Sequence, residues 1–139
     1  MNIAVNLDSL EIVASEGQFE DTLPNVIVRR GDVILVNLAL FEDGSVVDYS
    51  SPTLELFITQ AGDYETLLAS SVAFSQIDTG VDARYIDTLD LSGASIDALF
   101  PDGATSKADG IVEVRVTHNG ETRTSAGVPV IIQNSYQSP

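Results

Sequence analysis

Val112, Val114 and Val116 alternate with Glu113, Arg115 and Thr117 inside the stretch 110–133. A period of two sends the valines to one face of a pleated strand and the polar residues to the other. Just beyond, Asn119-Gly120 stands between two strand-like runs. Both residues tolerate positive φ, so the pair predicts a two-residue type I′ turn whose twist suits an antiparallel hairpin. That hairpin sets the class expected for the chain, which is antiparallel β.

The same alternation recurs upstream. Ile34, Val36, Leu38 and Leu40 share one face of the run 33–41, with Asn37 and Ala39 on the other. The second face is only partly polar, which predicts a central strand. Leu54, Leu56 and Ile58 alternate with Glu55, Phe57 and Thr59, and Tyr85, Leu89 and Leu91 are in phase across 84–91. Shorter β-rich runs occupy 25–30 and 72–77. Turn chemistry separates them at Arg30-Gly31-Asp32, Glu42-Asp43-Gly44-Ser45, Ala61-Gly62-Asp63 and Asp78-Thr79-Gly80. Pro52, which cannot donate to a ladder, interrupts the return strand after Val46-Val47. Only 95–100 has helical character, with Ser95 as its cap and Pro101 and Gly103 as its stop.

Strands at this spacing, without long helices between them, predict an all-β fold. It is an antiparallel immunoglobulin-like β-sandwich of about seven to eight strands with one short helix near 95–100. The expected organisation is an N-terminal arm or edge strand over 1–24, the sandwich over 25–133 and a flexible polar tail over 134–139. At 139 residues, 44% hydrophobic and 19% charged, the chain suits one domain with a packed core.

Twenty-one acids against six bases give a formal net charge of −15. That field repels nucleic acid and anionic membranes, and the bases (Arg29, Arg30, Arg84, Lys107, Arg115, Arg123) form no phosphate-binding run. No apolar stretch approaches the roughly 20 residues of a membrane helix. The opening Met-Asn-Ile-Ala-Val-Asn-Leu-Asp has neither the basic nor the apolar part of an export signal, so synthesis in a cytoplasm is expected.

Candidate chemistry is sparse. Arg30-Gly31-Asp32 spells a tripeptide that some integrin ligands display, but between two strands Gly31 reads as the residue that permits a turn. His118 is the sole histidine and is expected to be exposed at a hairpin end. With no cysteine, zinc sites and Cys-His or Ser-His-Asp arrangements lose most of their residues. Asp78, Asp82, Asp87 and Asp90 are close enough in sequence to share a calcium ion, although EF-hand spacing is absent; the sequence leaves metal binding undecided. Glycine-rich phosphate loops are missing, and so are aromatics interleaved with bases. The expectation is a chain that is not an enzyme and holds no cofactor or small-molecule substrate.

Three features come in a particular order. Val26-Ile27-Val28-Arg29-Arg30-Gly31-Asp32 leads a strand into a Gly-Asp turn. A long apolar strand over 33–41 then meets the acidic turn Glu42-Asp43-Gly44, and a strand–turn–strand unit runs from Val112 through Asn119-Gly120 to Ile132. This order resembles the N-terminal β-sandwich domain of upper-baseplate proteins in tailed bacteriophages, over roughly 25–133. The resemblance implies packing and assembly rather than chemistry, and transfers no functional residue. It points to a structural component of a virion (tail, baseplate, neck or capsid-associated) that is made in a host cytoplasm. Its expected partners are copies of itself, around a symmetry axis, and other virion proteins. Asn2, Ile3, Val5, Leu7, Leu10 and Ile12 of the N-terminal segment are the candidate assembly contacts, since such an arm can order on a neighbouring subunit. The alternative is a cell-surface immunoglobulin-like module for a glycan or protein, possibly calcium-stabilised, using aromatics such as Tyr49, Tyr64 and Tyr85.

Overall fold

The computed structural model describes residues 1–14, 26–101 and 105–134. Strand segments are β1 (Asn2–Asn6), β2 (Glu11–Ala14), β3 (Val26–Arg29), β4 (Val33–Glu42), β5 (Ser45–Val46) and β6 (Thr53–Gln60). They continue with β7 (Asp63–Ser71), β8 (Ser75–Asp78), β9 (Arg84–Asp90), β10 (Lys107–His118), β11 (Glu121–Thr124) and β12 (Val128–Gln133). One helical turn, α1 (Ala94–Asp97), lies between β9 and β10. Its N-cap is Gly93 rather than Ser95, and no side chain caps it.

Two sheets form the sandwich. The first runs β2-β1-β4-β9-β8, with β5 on β4; the second runs β3-β12-β10-β6-β7, with β11 on β10. The alternating apolar sets meet between them. Val36, Leu38 and Leu40 of β4 face Leu54, Leu56 and Ile58 of β6 and Val112, Val114 and Val116 of β10 in one core. Tyr85, Leu89 and Leu91 join it, as the sequence phase predicts. Burying each such side chain contributes roughly 1.5–3 kcal/mol, an upper estimate because a compact unfolded chain already hides some of that area.

Both sheets are mixed, not purely antiparallel. β1 pairs in parallel with β4 (Ala4 opposite Ala39), and β3 pairs in parallel with β12 (Ile27 opposite Ile131). Alternation specifies which face a side chain takes but not which strand lies alongside, so these ladders were invisible in the sequence. Ile3, Ala4 and Val5 are all buried, the mark of an interior strand covered on both faces. The segment 1–14 is therefore part of the sandwich; the rest of the expected arm, 15–24, and the tail 135–139 lie outside the described residues.

The strand over 63–71 also escaped the sequence reading, because Leu67, Leu68 and Ala69 break the alternation. A register shift opposite Thr59 explains it. Leu68 and Ala69 both turn inward while Leu67 stays 47% exposed, as at a β-bulge.

Turns behave as their chemistry requires. Asn119 (φ 52°) and Gly120 (φ 78°) close β10 to β11, and Asp43 (φ 54°) and Gly44 (φ 77°) close β4 to β5. Arg30-Gly31-Asp32 carries the chain from one sheet to the other. The Arg30 amide donates to the Gln133 carbonyl of the second sheet, and the Gly31 amide donates to the Leu91 carbonyl beyond the end of β9.

Candidate functional site

The Arg30 guanidinium lies 2.8 Å from the Asp97 carboxylate, donates to the Asn134 side chain and sits over the Phe100 ring. With a sheet-crossing backbone and an engaged side chain, Arg30-Gly31-Asp32 is a structural turn.

The four aspartates of the calcium candidate do not converge. Asp78 pairs with Arg84 at 2.7 Å, Asp87 accepts from the Ala73 and Thr88 amides, and Asp90 accepts from Ser92. Asp82 lies in the 3-10 turn Gly80–Asp82. Among the described residues, no three metal-ligating side chains gather in one place.

His118 is not simply exposed at its hairpin end. Its ring stacks on Tyr49, with centroids 3.9 Å apart and planes 6° from parallel. Tyr49 in turn is tied to the first sheet. Its backbone amide donates to the Tyr85 hydroxyl at 3.0 Å, and that hydroxyl donates to the Tyr49 carbonyl at 2.9 Å. Burial pushes the Tyr85 phenol pKa up, with the Tyr49 backbone bond opposing it. Arg123 of β11 reaches Glu42 of β4 at 3.2 Å, and this bond raises the guanidinium pKa. The cluster clamps the β10–β11 hairpin onto the opposite sheet, which is a stability role. It also removes Tyr49 and Tyr85 as solvent-facing platforms for a glycan; the Tyr64 side chain lies outside the description.

The N-terminal candidates divide between the core and the surface. Ile3, Val5, Leu7 and Ile12 are each at most 3% exposed in the core of their own domain. Their side chains pack within the core of this domain. Asn2 is exposed and Leu10 half-buried. Leu10 takes a positive φ of 58°, and its carbonyl accepts from the Ala126 amide at 2.7 Å.

What sequence reasoning missed lies on the outer face of the second sheet. A groove of about 250 Å³ is lined by Phe57 and Thr59 of β6, Leu67 of β7, and Glu113 and Arg115 of β10. The register places Phe57 opposite Glu113, and Thr59 opposite Leu67. Arg115 is held on one side, 5.1 Å above the Phe57 ring and 3.7 Å from Glu55. Glu113 makes no ion pair among the described residues, and Thr59 Oγ1 is buried without a hydrogen-bond partner there. The only sequence trace of this groove is Phe57, a large aromatic in a position where alternation calls for a polar side chain.

The sheet edges are the second surface feature. Ile27 on β3, Leu67 on β7 and Ile77 on β8 are 55%, 47% and 45% exposed. These are three of the four outermost strands.

No family model matches the chain, and no curated protein matches it. Among solved structures it is similar to the N-terminal domain of phage TP901-1 ORF48, at 11% identity and a TM-score of 0.44, over 95% of this chain and 96% of that one. A likeness of that extent assigns no residue and no role.

Proposed function

We propose that this protein is a non-enzymatic structural component of a bacteriophage virion, acting through assembly with other virion proteins and with copies of itself. The observation that carries the reading is the state of the sheet edges. Natural sandwiches blunt their edge strands with charges, prolines or covering segments, because an open edge recruits other chains. Here a chain with 21 acids to spare places an exposed isoleucine or leucine on β3, β7 and β8 instead. Apolar side chains on strands that have one hydrogen-bonded strand neighbour among the described residues suit lateral contact with a neighbouring subunit. The virion setting is supported by the order of strands and turns, which resembles that of phage baseplate sandwich domains.

Gel filtration followed by negative-stain imaging, with and without the proteins encoded beside it, tests the reading. Incorporation into a particle or a symmetric oligomer is expected. A strict monomer that joins no particle would falsify it.

A further inference from the structure

We infer that the groove formed by Phe57, Thr59, Leu67, Glu113 and Arg115 docks an extended cationic segment of a different protein. The inference rests on the assembly reading and specifies the partner's chemistry. The segment inserts an aliphatic side chain between Phe57 and Leu67 and sets a lysine or arginine against Glu113.

Charge decides the occupant. Arg30, Arg84, Arg115 and Arg123 are each engaged by an acid of this chain, at Asp97, Asp78, Glu55 and Glu42. The chain as a whole carries −15, Arg115 on the groove wall is turned to Glu55, and Glu113 on the same wall has no ion-pair partner among the described residues. A second copy would bring another net charge of −15 to the same place, which disfavours self-docking; a basic segment is drawn in. The apolar part is provided by half-buried Phe57 and by Leu67, which the β7 bulge leaves 47% exposed. An extended segment presents alternate side chains to one face about 7 Å apart. That spacing lets one residue enter the groove while the next on that face meets Glu113.

The test titrates isotopically labelled protein with three blocked peptides, Lys-Thr-Leu-Thr-Lys, Glu-Thr-Leu-Thr-Glu and Lys-Thr-Ser-Thr-Lys, whose first, third and fifth side chains share one face when extended, and follows amide chemical shifts. Only the first is expected to move the amides of residues 57, 59, 67, 113 and 115. Glu113→Lys should weaken it roughly tenfold, and Leu67→Ser, a surface change that leaves the core intact, roughly fivefold. Val81→Ser, at an 83% exposed position away from the groove, should change nothing. Shifts scattered over the acidic surface, equal binding of the serine peptide, or unaltered affinity in both groove variants would overturn the inference. So would groove amides that shift with protein concentration alone, since a second copy would then be the occupant. Particle assembly separates the two claims. A Glu113→Lys protein that assembles normally removes this inference only, whereas a wild-type protein that joins no particle removes the assembly reading whatever the peptides do.

Discussion

Ser125 shows how much one side chain can carry. β10 pairs with β11 through Arg115 and with β12 from Val112, so Val114 falls between the two ladders. The Ser125 amide donates to the Val114 carbonyl at 2.8 Å, and the Ser125 hydroxyl accepts from the Val114 amide at 2.9 Å. Ser125→Ala leaves that buried amide without an acceptor, and a loss of about 1–3 kcal/mol is expected from denaturant midpoints. An unchanged midpoint would show that the bond contributes nothing net. Asp48 gives a pH prediction. The Gly80 amide and the Gln76 side chain donate to its carboxylate and hold its pKa below the usual aspartate range. A carboxylate with a lowered folded pKa stabilises fully above the unfolded value of about 3.9 and loses that contribution as pH falls through the lowered one. Asp90, held down by Ser92, behaves the same way. Thermal melts across the acid limb should therefore fall less steeply for Asp48→Asn than for the wild type; parallel limbs would refute it.

Turns and strands differ in what they tolerate. Gly120 needs φ 78° to close the β10–β11 hairpin, and a Cβ there meets no neighbour. Gly120→Ala thus isolates the backbone term, expected at roughly 1–2 kcal/mol. Gly110, within β10, has the opposite problem. An added Cβ would sit 3.0 Å from the Thr59 carbonyl oxygen, 3.1 Å from Val130 Cγ1 and 3.2 Å from Ile58 Cγ2. Gly110→Ala should cost about 1–3 kcal/mol through overpacking, read from the same denaturant curves. Because Gly110 lies where β10 meets both β6 and β12, its variant should also loosen amide exchange in those strands, whereas the turn variant should not. At this scale the sequence was largely legible. Asn119-Gly120 and Asp43-Gly44 announced their hairpins, since their φ requirement is local. β7 was not legible, because its bulge is imposed by the strand beside it.

Charge acts on the whole molecule. The ion pairs at Arg84–Asp78 and Arg115–Glu55 involve side chains exposed by about a quarter or more, so each contributes little. Against them stands the mutual repulsion of a net −15. Salt screens exposed charges beyond about 10 Å at 0.1 M, and the repulsion is the more numerous and longer-ranged set. The melting temperature is therefore expected to rise from low salt toward physiological salt; a fall would mean that the attractive pairs dominate.

By itself the sequence determined the β class, the two-faced strands, the hairpin turns and the absence of familiar catalytic motifs. Each of these follows from contacts within a few residues or from side-chain chemistry that needs no partner. Only the tertiary structure decided that β1 lies in the core beside β4, that Tyr49 covers His118, and that Phe57, Leu67 and Glu113 share a groove. Those outcomes depend on which strands become neighbours. Alternation sorts side chains between faces but is indifferent to the strand alongside, so long-range pairing is settled by burial of the whole core.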